Sequence, residues 1–342
     1  MKTSIPLFLV AMLAACAPST SRISGTPCAG CFDDEGTCLP GTSPNACGGD
    51  GVMCSACSQG LACEQGQCVM SLLPTGMDGG EETDAGLEDC SEAAKLIYVV
   101  DQDRTLSSFD PRRIGEPGGP FVDLGRLSCP AKSGAEPFSM SVDRNAVAWV
   151  IYDSGELFTV NVRKLPLSCT KTSFSPHAEV AKFGMGFVSD SPGSRDEKLF
   201  IAGSDFGSSL SSTKFGTLST SEPHLLSILG VLPGAPELTG TGDSKLWAFS
   251  PNLTTPKVAR LSKTNGSVEQ SFELPTLGGS PRAWAFAFWG GDFYIFLERA
   301  TEGSTKVWKM NGQTGAVSLA VPDTGRVLVG AGVSTCAPVE IN

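Results

Sequence analysis

Four aspartates stand at equivalent places along this chain: Asp143 in "SVDRN", Asp190 in "FVSDS", Asp243 in "TGTGD" and Asp292 in "GGDFY". Each follows a short apolar run and precedes another, so one fold could gather them at the mouth of a central channel. Gathered carboxylates can bind a hard cation through oxygen. Two carboxyls whose surroundings drive their pKa values apart can serve as acid and base on a glycan. The competing reading is that Asp is a favoured turn residue because its side chain bonds nearby backbone, and that reading is preferred. The two histidines, His177 and His224, lie beside Pro or Glu in loop-like text and read as exposed. There is no serine elbow, no His-Glu-x-x-His and no glycine pattern leading a strand into a helix. No catalytic residue and no cofactor is assigned.

The elements that would position these aspartates are strands. Small or compact side chains take the second and fourth places of "FSMSV" (138–142), "FGMGF" (183–187), "LTGTG" (238–242), "WAFAF" (284–288) and "VGAGV" (329–333). A period of two is that of a strand, and one face of each strand carries almost no side chain. After the first four come a turn and a second apolar run: "AVAWVIY", "KLFIAGS", "KLWAFSP" and "DFYIFLE". Aligned on Val147, Leu199, Leu246 and Phe293, these recur at intervals of 52, 47 and 47 residues. Recurrence near fifty with several short strands per unit predicts an all-β fold, a β-propeller whose crowded inner strands tolerate little bulk. At strand spacing Trp284, Phe286, Phe288 and Trp289 read as core between blades rather than as a sugar-stacking surface, Trp289 being nearest a turn.

The fifth pentapeptide has no strand after it, and "KLIYVVD" from Lys95 has none before it. Circular closure, with the C-terminal strand innermost in the first blade, resolves both and favours five blades. Six shorter blades are the alternative, and a β-sandwich ranks below because it lacks the recurrence. Closure places Cys90 and Cys336 at one end of one blade, which predicts a disulfide between them. Cys129 and Cys169 then pair by exclusion, although simple blade geometry sets them toward opposite ends of their outer strands.

Of the thirteen cysteines, eight crowd into Cys28, Cys31, Cys38, Cys47, Cys54, Cys57, Cys63 and Cys68, with Gly and Pro between. So short a segment cannot bury a sufficient core, and disulfides substitute for one. Zinc ribbons also use paired Cys-x-x-Cys units, but they lack surplus cysteines and belong to reducing compartments. A redox-active pair would need a βαβ setting that is missing. Eight cysteines leave 105 pairings open.

The opening "MKTSIPLFLVAMLAACAPSTS" has one Lys, an apolar stretch from Ile5 to Leu13 too short to be a permanent span, then small residues. Leu13-Ala14-Ala15-Cys16 resembles the lipobox of bacterial lipoproteins, which implies cleavage before Cys16, its lipidation and a membrane tether. Ala17 after the cysteine favours the outer membrane. The organisation read from this text is a signal peptide over 1–15, a tether over 16–27, a disulfide module over 28–69, an acidic linker over 70–89 and the propeller over 90–342. The formal net charge of −11, with no basic run, argues against nucleic acid as a partner.

The text "PFSMSVDRNAVAWVIYDSGELFTV", "KFGMGFVSD", "ELTGTGD", "AWAFAFWGGDFYIF" and "VGAGVSTCAP" resembles a group of predicted lipoproteins from myxobacteria, a group without an assigned activity. The cysteine module is similar to Cys-rich segments of exported proteins in the same bacteria. The resemblance implies compartment and architecture and carries over no catalytic residue. The expectation is a lipid-anchored envelope protein whose propeller presents a non-catalytic binding surface to a protein or envelope ligand. A propeller hydrolase or lyase acting on glycans is the alternative, and a purely structural surface lipoprotein is the third reading.

Overall fold

A computed structural model describes residues 28–43, 45–57, 61–70, 90–207 and 211–340. The signal segment, Cys16, the tether and the linker after Met70 lie outside these residues. The chain divides into two compact units, Met1–Val69 and Met70–Asn342.

The first unit contains only short strands: β1 (Cys31–Phe32), β2 (Cys38–Leu39), β3 (Thr42–Ser43), β4 (Ala46–Cys47), β5 (Val52–Met53), β6 (Leu61–Glu64) and β7 (Gln67–Met70). Met70, which the sequence assigned to the linker, therefore closes a strand. Disulfides join Cys28 to Cys38, Cys31 to Cys54, Cys47 to Cys63 and Cys57 to Cys68. Three sulfurs, those of Cys47, Cys57 and Cys68, come close enough together to suggest a metal site, but each is already committed to a disulfide.

The second unit is all-β, with no α-helix among the described residues. Its first sheet starts with β8 (Ile97–Asp101), β9 (Thr105–Phe109) and β10 (Phe121–Arg126). The second is β11 (Pro137–Val142), β12 (Val147–Tyr152), β13 (Leu157–Asn161) and β14 (Cys169–Lys171). The third is β15 (Lys182–Ser189), β16 (Glu197–Ser204), β17 (Ser212–Leu218) and β18 (Leu226–Pro233). The fourth is β19 (Glu237–Gly240), β20 (Leu246–Ser250), β21 (Lys257–Leu261) and β22 (Val268–Glu273). The fifth is β23 (Pro281–Trp289), β24 (Asp292–Arg299), β25 (Lys306–Asn311) and β26 (Val317–Val321). The last strand, β27 (Leu328–Val333), pairs antiparallel with β8 and completes the first sheet in the order β10-β9-β8-β27. All five are four-stranded antiparallel sheets, the construction of a β-propeller.

The pentapeptides fall at the first strand of a sheet or, in β27, beside β8. Contacts run from β27 to β11, β15, β19, β23 and back to β27. Their small residues have a direct cause. A Cβ on Gly186 would fall 2.9 Å from Thr239 Cα, and one on Gly332 would fall 2.7 Å from Ser141 Cα. Backbone lies on backbone here, leaving no volume for a side chain. The compact hydroxyls bond across the same gaps: the Phe187 amide donates to Ser141 Oγ at 3.2 Å, and the Phe288 amide to Thr239 Oγ1 at 3.2 Å. Behind them the sheets bury aromatic cores, with Trp149 against Phe187 between the second and third sheets and Phe109 against Phe296 between the fifth and first.

Disulfides join Cys90 to Cys336 and Cys129 to Cys169. The second bond does not have to span a full outer strand, because β14 is only three residues long and Cys169 opens it.

Candidate functional site

The turns that follow the first strands of the second, third and fourth sheets carry Asp143, Asp190 and Asp243, while Asp292 opens β24 just after its turn. The end of the chain crosses these turns. Ser334 Oγ donates to Ala94 O at 2.8 Å, ahead of β8. Arg144 Nη1, after β11, donates to Thr335 Oγ1 at 3.2 Å, and Thr335 donates in turn to Glu197 Oε2 at 2.7 Å. A Cβ on Gly242 would lie 2.5 Å from Thr335 O, and Gly290 N donates to Pro338 O at 2.7 Å. Ser334, Thr335, Cys336 and Ala337 are buried. Residues 334–338 thus touch the turn end of every sheet.

With that segment in place the aspartates stay apart. Asp190 pairs with Lys198 at 2.6 Å, Asp243 with Lys245 at 2.5 Å and Asp292 with Lys309 at 2.7 Å. Lys198 is on the strand following the turn, Lys245 immediately precedes its strand, and Lys309 is on the strand paired with that of Asp292. Among the described residues no three carboxylates bring their oxygens within 4.8 Å of one another.

Asp143 differs, because it has no lysine. Its Oδ1 accepts from the Asn145 and Val147 amides at 2.9 and 3.0 Å, and its Oδ2 accepts from Trp149 Nε1 at 3.4 Å. It lines a cleft of about 340 Å3 with Arg144, Arg195, Asp196, Glu197 and Thr220. Glu197 Oε1 accepts from the Arg144 amide at 2.9 Å. Burial, with help from the neighbouring Asp143, pushes the Glu197 carboxyl up to about 7 despite hydrogen bonds from Arg144 and Thr335. Burial also raises Asp143, against the bonds from Val147, Trp149 and Asn145. The cleft therefore holds two carboxyls biased toward protonation, with two guanidinium groups beside them. Such a pair can exchange protons with a ligand or bind one through hydrogen bonds.

Sequence reasoning passed over Glu197, whose partners come from residues 144 and 335 and leave no local pattern. It also passed over Glu237, which opens β19 and is 4% exposed. Ser139 Oγ, two sheets away, donates to Glu237 Oε2 at 2.8 Å. A Cβ on Gly184 would sit 3.1 Å from Glu237 Cδ, so the glycine makes room for this side chain. Burial drives the Glu237 carboxyl well above the ordinary range, against hydrogen bonds from Ser139 and the Met185 backbone. An acidic residue heading the small-residue run "ELTGTG" was the available signal.

One histidine assignment needs correction. His177 is exposed, but the His224 side chain is only 5% exposed. Its ring meets Trp149 edge to face at 5.5 Å, with Nδ1 2.9 Å from Ser219 O and Nε2 3.1 Å from Glu222 Oε1. The apolar face of Trp149 comes from a different sheet, so loop-like local text did not reveal the burial. Among the four aromatic residues considered for sugar stacking, Phe286, Phe288 and Trp289 are buried, while Trp284 is half-buried.

No family model matches the sequence, and no curated protein matches it. Solved structures do resemble the fold. A nidogen/laminin complex chain is 12% identical, covering 69% of this chain and 97% of that one, with a TM-score of 0.43. An exo-β-1,3-galactanase from Phanerochaete chrysosporium is 11% identical over 67% of this chain and 54% of that one, with a TM-score of 0.41. The β-propeller domain of Cps50 (Swd1) from Myceliophteria thermophila is 10% identical over 69% and 72%, with a TM-score of 0.36. At these identities and scores the likeness says nothing about what the chain does.

Proposed function

We propose that the chain is a lipid-anchored protein of the cell envelope, tethered at Cys16, with its five sheets forming the blades of a ring closed by β27. The ring presents a binding surface to a protein or envelope ligand and performs no chemistry. The outer strand β18 carries this reading. Ile228 is 39%, Leu229 37% and Val231 58% exposed there, with Leu225 at 64% just before it. The outer edges β10, β14 and β22 carry charge, whereas β18 and β26 have none, and β18 exposes three large apolar side chains where β26 exposes only Leu319. Uncharged apolar edges invite pairing and are normally protected or covered by a partner. The lysine-paired aspartates and the chain end lying across their turns argue against an axial active site.

Two measurements test the proposal. Mass spectrometry of the chain from the envelope should show acyl groups on Cys16, lost in Cys16→Ser; an unmodified Cys16 removes the anchor. Cross-linking in intact envelopes should yield a discrete adduct that Val231→Lys abolishes without changing the thermal midpoint. An adduct indifferent to that substitution overturns β18 as the binding surface.

A second reading, a glycan hydrolase or lyase, is favoured by the Asp143–Glu197 cleft, because glycan cleavage needs a carboxyl of raised pKa as acid with a second carboxyl nearby, and burial lifts Glu197 to about 7 beside Asp143. Reducing ends released from peptidoglycan by the wild type but not by Glu197→Gln would establish it. Equal release by both would eliminate it.

A further inference from the structure

We propose that the Cys90–Cys336 disulfide is a redox-sensitive latch on the Asp143–Glu197 cleft: oxidised, it seats Arg144 and Thr335 against Glu197, and its reduction unseats them. This goes beyond the binding-surface reading, because it concerns the state of the cleft whatever ligand the ring presents itself to.

Three sheets meet at this bond. Cys90 stands ahead of β8, Arg144 follows β11 and Glu197 opens β16. Arg144 reaches every partner. Its Nη2 donates to Cys90 Sγ at 3.4 Å, its Nη1 to Thr335 Oγ1 at 3.2 Å and its amide to Glu197 Oε1 at 2.9 Å. Its carbonyl oxygen lies 3.9 Å from Cys336 Sγ. Thr335, next to Cys336 in the chain, donates to Glu197 Oε2 at 2.7 Å. Both oxygens of Glu197 are therefore held by residues that touch or adjoin the disulfide. Cys336 and Thr335 are 0% and 1% exposed, so a displacement of one passes to the other.

The bond also has the setting of an exchangeable one. Cys90 is half-buried and Cys336 fully buried, which directs a nucleophile to Cys90. The Arg144 guanidinium stands where negative charge would form on Cys90 Sγ, and a cation beside a partly exposed sulfur favours the thiolate. With a dithiol as reductant, its first thiolate attacks Cys90 Sγ, the Cys90–Cys336 bond breaks, and Cys336 Sγ leaves and takes a proton. The second thiolate then attacks the reductant's own sulfur in the mixed disulfide, so Cys90 leaves as a thiolate and takes the other proton. Two electrons and two protons pass to the cysteine pair, and the reductant ends as a disulfide. The freed sulfurs must part to van der Waals contact among buried residues, and that displacement falls on Arg144 and Thr335.

The cleft changes with the latch. Burial is the first cause that lifts the Glu197 carboxyl to about 7, and Thr335 covers one of its oxygens. Unseating the chain end admits water and returns the carboxyl toward 4.5. Oxidised, the cleft holds a carboxyl that can give a proton near neutral pH; reduced, it holds an ionised carboxylate beside Arg144 and Arg195.

The test uses the full chain, with the Glu197 carboxyl followed by carbon NMR and assigned by its disappearance in Glu197→Gln. In Cys90→Ser/Cys336→Ser, which leaves the other disulfides intact, the midpoint should fall by about one unit or more, a tenfold or larger loss of proton affinity. The control Cys129→Ser/Cys169→Ser should leave it in place. A midpoint unchanged by the first pair of substitutions, or moved equally by both pairs, overturns the proposal. Should the first variant not fold, the wild type is reduced stepwise with dithiothreitol at a pH between the two expected midpoints, and alkylation with mass spectrometry gives the free fraction of each cysteine. The Glu197 signal should follow the free fraction of Cys90. A signal that stays fixed as Cys90 becomes free, or that follows Cys129 instead, overturns it.

Discussion

In the cysteine-rich unit the deeply buried apolar residues among those described are Cys31 and Cys47, whereas the sheet unit encloses Tyr98, Tyr152, Tyr294 and phenylalanines such as Phe183 and Phe296 almost completely. The first unit excludes too little water from apolar surface to fold by burial, so its covalent bonds restrict the unfolded chain instead. The second has cores between its sheets and uses disulfides only to tie chain ends and outer strands. The difference teaches that cysteine does different work in one chain, replacing a core in one place and bracing an existing one in another.

Reduction should separate the two most sharply. With excess thiol the module's amide resonances should collapse to random-coil positions, because each native disulfide of so small a unit contributes about 2–5 kcal/mol. The sheet unit should stay folded with a lower midpoint. Closing the long loop between Cys90 and Cys336 contributes about 5 kcal/mol by the chain-entropy argument. A module that keeps its dispersed spectrum after reduction would erase the distinction.

The next largest effect tests the sheet unit's own means of support. Gly332→Val places a branched side chain where even Cβ meets the backbone of Ser141 and Val142 at 2.7 to 2.9 Å. Overpacking of that kind should cost about 3 kcal/mol, measured by chemical denaturation. A near-neutral result would mean that the inner strands are not held backbone to backbone.

A smaller effect should appear with pH. Glu197 has its folded pKa raised from 4.5 to about 7, so its contribution to stability is complete below 4.5 and is lost as pH rises through about 7. Relative to Glu197→Gln, the wild type should lose on the order of 3 kcal/mol between pH 4.5 and 8, with partial solvent exposure reducing that figure. Parallel stability curves for the two proteins would show that Glu197 titrates normally. The smallest effect should come from Lys198→Ala, which frees Asp190 at an exposed position and should cost about 0.5 kcal/mol. A loss of several kcal/mol would mark that turn as part of the packed structure rather than its solvated rim.

Much of the strand layout was legible because local causes produced it. The alternation in "WAFAF" and "FGMGF" reports crowding that the strands themselves experience, and recurrence near fifty residues reports a repeated unit. The site was less legible. Glu197 has its environment from Arg144 and Thr335, and Glu237 from Ser139, far away along the chain. The sequence placed His224 correctly in a loop but read it as exposed, because the Trp149 ring packed against it comes from the neighbouring sheet.

By itself the sequence determined the all-β character, the two-unit division of cysteines and the positions where inner strands forbid side chains, since period, composition and side-chain volume are properties of the chain. Tertiary structure alone decided which of the eight clustered cysteines join, that the chain end would lie across the aspartate turns, and that Glu197 would be the carboxyl raised to about 7. Those outcomes depend on which distant groups share a small volume, and desolvation and hydrogen bonding are set by that volume rather than by neighbours along the chain.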